Sequence, residues 1–321
     1  GDGWSFPCQL KTWQGPISLA VFLQHGYNAD YVKNQIIRSI DALPDKGVVR
    51  GLAVHVMHEK REGQSCLESE TTLTKTKTNE TLTKKKTNEM FVADYPINTM
   101  RNVARLFSSS KYIAMADSDY IFSYGFYQKM LSLVRKEVHI GSKQALLYRI
   151  FEIEEQSVIE KNYELKKSDL RQIIKDDKGR VFHVKKWSGG HSVPRLKEWL
   201  NEDESDHPSI FDLQITNLTK RPYWEFQFVT LRDVPLFDED FPYRADNNLE
   251  LRWEVCRAGY ELRLVQDLFV YHTLNGDVHK DDPKKKHSIK QKNLAKFKAA
   301  KSKLIKRMAR LYPNTTDRCP V

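Results

Sequence analysis

Ile17 to Leu23 (ISLAVFL) is a short apolar run behind Gly15-Pro16, the pattern of a buried strand. Asp30 to Leu43 then places Val32, Ile36, Ile37, Ile40 and Leu43 at helix spacing, and Val48 to Met57 reads as a second buried strand. Strand, helix, strand opens an α/β domain with parallel pairing.

The same rhythms resume further on. Asn98 to Phe107 sets Met100, Val103, Ala104 and Phe107 on one helical stripe, and Lys111 to Ala116 (KYIAMA) is a short strand. Tyr124 to Arg135 predicts a helix, Gln144 to Ile153 a strand, and Val158 to Asp176 a charged helix. Lys185 to Asp206 reads as loop, with Trp187, Gly189, Gly190, His191 and Trp199 in it, and strands follow at Phe226 to Leu231 and Glu261 to Tyr271. In the Lys-rich stretch from Lys280 to Tyr312, Leu294, Phe297, Leu304, Ile305, Met308 and Leu311 recur at helix spacing. That predicts an amphipathic helix docked with its lysines outward, a face that also suits an anionic membrane or a polyanionic glycan.

Between these halves the pattern lapses. Thr72 to Glu80 (TLTKTKTNE) is nearly repeated by Thr81 to Glu89 (TLTKKKTNE), polar and poor in large apolar groups. Such a stretch cannot offset its own ordering entropy, so residues 62–89 are expected to be a surface insertion in a single domain spanning 1–321.

Composition narrows the class. The 321 residues are 40% hydrophobic and 11% aromatic, enough for a sizeable core, which excludes collagen-like, miniprotein and wholly disordered chains. The net charge is +10, but no nucleic-acid motif accompanies it, so a nucleic-acid partner is not expected. No run approaches the ~18 apolar residues of a membrane span, and the chain opens on Gly1 rather than Met, so an upstream targeting or anchoring segment is expected. Cys8, Cys66, Cys256 and Cys319 contain no C-x-x-C pair, which removes zinc-ribbon and thioredoxin readings. They are scattered thiols or else disulfides of an oxidising compartment, with Cys8–Cys319 a candidate bridge between the termini. Three glycosylation triplets begin at Asn79, Asn217 and Asn314.

The candidate chemistry lies in Asp117-Ser118-Asp119, directly behind the KYIAMA strand. Carboxylates at i and i+2 past the carboxyl end of a strand sit where open α/β sheets bind ligands, and hard oxygen ligands favour Mg2+ or Mn2+ over zinc. Such an ion can bridge a diphosphate and neutralise the charge that grows on it as a sugar departs.

Asp117 to Tyr127 (DSDYIFSYGFY), with YPINTMRNVAR upstream, resembles glycosyltransferase family 49, a family of glucuronyltransferases acting on the glycan of dystroglycan. The likeness runs on through Gly190-His191, Trp199, Trp224 to Phe241, Glu254 to His272 and Arg310 to Asn314 with Cys319. What it implies is a GT-A-type nucleotide-sugar transferase fold, with a mixed, mostly parallel central sheet flanked by helices and a basic C-terminal helix. It further implies a UDP-sugar donor, Mn2+ (or Mg2+), a glycan or glycoprotein acceptor, inversion at the anomeric carbon, and residence in the Golgi lumen or secretion. On the resemblance, Asp117, Asp119 and His272 hold the metal, and Asn98, Arg101 and Asn102 reach the nucleotide or sugar.

Inversion needs one general base on the acceptor side, and Asp246 and Glu225 are the two candidates. Arg244 suits a sugar carboxylate or a phosphate equally. The chain departs from the family at Phe122 and Phe226, where proline is usual, at Pro194-Arg195 in place of Thr-Asn, and at Ala245-Asp246-Asn247 in place of Gly-Trp-Asn. These departures leave a second expectation open: a weakly active or inactive relative that binds carbohydrate.

Overall fold

In the computed structural model, residues 6–23, 29–43, 51–58, 94–274 and 283–319 are described. The expected 62–89 insertion, Cys66, the Asn79 triplet and residues 48–50 of the second expected strand lie outside them. Helix α1 (Phe6–Trp13) leads into strand β1 (Ile17–Leu23), helix α2 (Ala29–Asp41) and strand β2 (Leu52–His58), with β1 and β2 parallel in register Ile17↔Leu52 to Leu23↔His58. The expected strand–helix–strand unit is therefore present, but it forms a separate two-stranded sheet, and only Leu23 of β1 is fully buried. Val54 and Val56 of β2 are more than a third exposed, so these strands are half-covered rather than buried on both faces.

Helix α3 (Ile97–Leu106), strand β3 (Tyr112–Ala114), strand β4 (Ile121–Phe122), helix α4 (Phe126–Glu137) and strand β5 (Gln144–Ile153) follow. Next come helices α5 (Glu155–Ile159) and α6 (Lys167–Lys175), strand β6 (Gly179–Val181), helix α7 (Leu196–Asn201) and strands β7 (Ile210–Ile215) and β8 (Gln227–Leu231). Helix α8 (Leu249–Arg257), strand β9 (Glu261–Thr273) and helix α9 (Pro283–Leu311) complete the order. Seven strands form the main sheet in the order β3-β8-β5-β9-β4, with β6 on β5 and β7 on β9.

The sheet is mixed, but parallel pairing is not its majority. Among the described residues only β1–β2 and β5–β9 are parallel, and the other five pairings are antiparallel. Part of the reason is topological: β8 enters from a loop rather than from a helical crossover, and loop-joined strands are free to run antiparallel.

β5 shows why the sheet is stable. Ala145, Leu147, Phe151 and Ile153 pack into one core while Leu146, Tyr148 and Ile150 pack into another on the opposite face. Burial on both faces is what an unbroken apolar strand encodes. β9 repeats this arrangement with a change of parity: Leu262 and Leu264 share the first core with Phe269 and Tyr271, across a register shift opposite Leu147/Arg149. Asp267 lies inside the irregularity at φ 68°, and its buried carboxylate meets the buried Lys167 ammonium at 2.5 Å.

Four further expectations are corrected. The charged segment 158–176 is two helices, broken where Asn162 and Tyr163 take left-handed backbone at φ 52° and 64°. The segment read as loop contains α7, whose Trp199 is fully buried and donates its indole N–H to the Val265 carbonyl at 2.9 Å. The disulfide joins Cys319 to Cys256 at the end of α8, not to Cys8, whose thiol packs beside Tyr163 in the first core and is unbridged. Helix α9 docks through Ala300, Leu304 and Met308 onto Phe241, Leu249 and Trp253, and Arg307 bridges Asp238 and Glu254 at 2.8 and 2.6 Å. Its apolar stripe is narrower than the spacing implied, because Leu294, Ile305 and Leu311 face solvent.

Candidate active site

A cleft of about 870 Å3 separates β1 from β3 and is bordered by Arg101, Asp117, Ser118, Tyr95 and Tyr243. That volume lies within the ~300–1,000 Å3 range of small-molecule sites. Asp117 is reached three residues beyond the end of β3, and the amide of Gln9 fixes its carbonyl at 2.9 Å.

The two acidic side chains meet different neighbours. Asp117 Oδ1 stands 3.6 Å from Arg101 Nη2, and Asp119 Oδ2 stands 3.2 Å from His272 Nδ1. Both carboxylates remain about half exposed, at 55% and 53%. The His272 ring stacks on Phe182 with centroids 4.3 Å apart and meets the edge of Tyr120 at 5.0 Å. Its Nε2 is buried without a hydrogen-bond partner. Burial acts to raise the Asp119 carboxyl, but the hydrogen bond and charge of His272, with the charge of His183, hold it below its ordinary value. Among the described residues no three His, Cys, Asp or Glu side chains converge as a ready-made metal cage. The donor set still suits a hard divalent ion: Asp119 and His272 already face each other, and among the described residues the Asp117 carboxylate is held by one long ion pair.

The three polar residues of α3 divide. Arg101 borders the cleft and donates to Asn98 Oδ1 and the Asn247 carbonyl, both at 3.1 Å. Asn98 is buried and donates to the Asp238 carbonyl at 2.9 Å and to Glu250 Oε1 at 3.3 Å. Asn102 is also buried, exchanging hydrogen bonds with the Phe237 backbone in both directions and donating to Glu239. Against expectation, both amides hold the 237–239 segment, which leaves Arg101 as the α3 side chain among these three that is turned to the cleft.

Glu225 precedes β8, and its amide N–H donates to the Gly190 carbonyl at 2.7 Å. Asn248 Nδ2 donates to its Oε2 at 3.3 Å, and Arg252 donates to Asn248 Oδ1, to the Asn248 carbonyl at 2.8 Å and to the Phe226 carbonyl at 3.2 Å. Burial pushes the Glu225 carboxyl up and Asp246 adds to the push, while Arg252, Asn248 and Arg101 act against it. His191, 3.3 Å from the Glu225 carbonyl through Nδ1, is lowered to about 4 by burial and by the charges of His183, Arg252 and His272. Asp246, the other candidate base, takes left-handed backbone at φ 51°, and its carbonyl receives the Leu249 N–H that opens α8.

Asn248 and Arg252 were not singled out in the sequence. Their only signal is an i, i+4 relation at the start of a helix that carries no clean apolar stripe, since every residue of α8 is buried. One of the family departures, by contrast, has a structural explanation. Phe122 is buried against Trp13 and Phe126, and its N–H donates to Thr12 Oγ1 at 3.1 Å, a bond that proline would lose. Val193 and Pro194 present their carbonyls to the buried Arg149 guanidinium at 2.7 and 2.6 Å.

A family model described as a glycosyl-transferase for dystroglycan matches residues 5–313. The β-1,4-glucuronyltransferase 1 of Danio rerio is 24% identical over 324 residues, covering 97% of this chain and 71% of that protein. The xylosyl- and glucuronyltransferase LARGE2s of Gallus gallus is 23% identical over 266 residues, 82% of this chain but 29% of that protein. The β-1,4-glucuronyltransferase 1 of Mus musculus is 26% identical over 227 residues, 70% of this chain and 50% of that protein. Among solved structures, GalNAc-T7 with UDP, GalNAc and Mn2+ matches at 11% identity and a TM-score of 0.38, over 85% of this chain and 41% of that one.

Proposed function

The chain belongs to the family of glycosyl-transferases for dystroglycan, and from that premise we propose that it is a metal-dependent inverting glycosyltransferase of GT-A type. It moves a sugar, with glucuronic acid the first expectation, from a UDP-sugar to a hydroxyl of a glycan. The observation that carries this reading is the cleft beside β3, large enough for a nucleotide sugar and bordered by Asp117 and Arg101.

In this reading Asp117, Asp119 and His272 hold Mn2+ (or Mg2+), which supplies charge neutralisation on the departing diphosphate. Arg101 adds a fixed positive charge on the cleft wall, where its planar fork suits phosphate oxygens. Glu225 takes the proton from the acceptor hydroxyl. Its carboxyl is raised by burial towards the working pH, which favours it as a base over a fully solvated acid. Residues 1–321 act as one catalytic domain, and the Cys256–Cys319 disulfide fits the Golgi lumen or secretion. The test is a panel of UDP-sugars with Mn2+, read by UDP release and by thermal stabilisation. Release from one sugar above the others identifies the donor; absence of release and of stabilisation across the panel refutes the reading.

One observation favours a carbohydrate-binding relative without turnover, namely the Asp117–Arg101 pair, a long contact at 3.6 Å through which the guanidinium competes with a metal for one oxygen of that carboxylate. Glycan binding without Mn2+-dependent UDP release would identify that case.

A further inference from the structure

Two of the three Asn-x-Ser/Thr triplets fall on described residues, and the structure treats them differently. Asn217-Leu218-Thr219 follows the end of β7 at Ile215. Leu218 is 3% exposed, belongs to the first core, and donates its N–H to the Arg318 carbonyl at 2.8 Å. With the middle residue pinned inward, Asn217 and Thr219 both stand exposed on either side of it. The Asn217 side-chain carbonyl, Oδ1, accepts from the Thr219 N–H at 3.0 Å and from the Thr219 hydroxyl at 2.7 Å. That arrangement commits Oδ1 and leaves Nδ2 as the outward end of the amide.

Asn314-Thr315-Thr316 is organised otherwise. Asn314 and Thr315 lie in a 3₁₀ turn over Pro313–Thr315, and the buried Thr315 hydroxyl donates to the Arg257 carbonyl at 2.7 Å. The Thr316 hydroxyl donates to the Pro313 carbonyl at 3.1 Å, away from the asparagine it would have to serve. The compartment is marked independently: the Cys256–Cys319 disulfide joins the segment next to Arg318, the residue on which the Asn217 loop docks. A structural disulfide belongs to the oxidising secretory route, where asparagine-linked glycans are added.

We infer that Asn217 is an N-glycosylation site of this protein, carrying an oligosaccharide on the face beside the Cys256–Cys319 bridge. The donor is an oligosaccharide linked through a diphosphate to a lipid. A bond forms between Nδ2 and the anomeric carbon, the bond from that carbon to the diphosphate oxygen breaks, the lipid diphosphate leaves, and one amide proton passes to base. The folded chain accommodates the product without rearrangement, because Asn217 and Thr219 are already solvent-exposed.

The inference is independent of the transferase reading and is tested apart from it. The chain, fused to a secretion signal, is produced in eukaryotic cells and its tryptic peptides are analysed by mass before and after peptide-N-glycosidase treatment in heavy-oxygen water. The expected result is conversion of Asn217 to heavy-oxygen-labelled aspartate, together with loss of one glycan's mass in Asn217→Gln and in Thr219→Ala but not in Thr219→Ser. Recovery of the secreted, folded chain with Asn217 unlabelled, or with an unchanged glycan mass in Asn217→Gln, overturns it.

Discussion

Asn248 donates through Nδ2 to Glu225 Oε2 at 3.3 Å, and the orientation of its amide is set from behind by Arg252, which donates to Asn248 Oδ1. Because Oδ1 is taken by a guanidinium, the other end must be the NH2 group, so Glu225 faces a donor. A hydrogen bond to the ionised form lowers a carboxyl pKa, and here it opposes the upward push of burial.

Asn248→Ala is therefore expected to raise the Glu225 pKa. A general base works deprotonated, so the acidic limb of kcat/KM moves to higher pH, and turnover below that limb falls by about tenfold for the lost charge-assisted bond. Donor KM stays unchanged. The pH–rate profile checks this: a profile identical to wild type assigns the base to Asp246 instead.

His191 is held neutral inside the fold, its pKa lowered from 6.5 to about 4 by burial and neighbouring positive charge. The unfolded chain binds that proton more readily, so the associated stability is present above pH 6.5 and is lost as pH falls towards 4. At about 1.4 kcal/mol per unit, the loss is about 3 kcal/mol. His191→Gln removes the protonation step, so its unfolding free energy falls less steeply across that window. Urea titrations at several pH values measure the difference, and parallel slopes for the two proteins would refute it.

The Cys256–Cys319 bridge closes a loop with a sequence separation of 63, for which chain entropy gives about 4 kcal/mol. The Cys256→Ser/Cys319→Ser double variant is expected to lose roughly that amount in chemical denaturation, while Cys8→Ser, which touches no bridge, costs far less.

The bridge also shows where sequence reading stops. Cysteine spacing gives no partner, and Cys8 looks as suitable as Cys256 until α8 is seen to end beside Cys319. The β5 run was legible because both of its faces are buried, so every position carries signal. The α7 helix was not, because its six residues are too few to establish a period and Trp199 reads equally well in a loop. The position of Asp117-Ser118-Asp119 just past a strand was legible from the apolar run before it, which is β3. Asn98 and Asn102 were misjudged for a related reason: periodicity gives the face of α3, not the 237–239 segment that covers it. Asn248 and Arg252 act through tertiary contacts with a loop more than twenty residues upstream, and no local pattern reports such contacts.

The central claim is that Asp119, facing His272 at 3.2 Å, helps to hold a divalent ion that lets UDP depart. Asp119→Asn keeps the shape and an oxygen for His272 while removing one ligand charge. The direct measurement is Mn2+-dependent UDP release by wild type and variant, with circular dichroism confirming equal folding. The account predicts release by wild type that chelation abolishes, and a fall of at least about a hundredfold in the variant. Release by Asp119→Asn equal to wild type would contradict it.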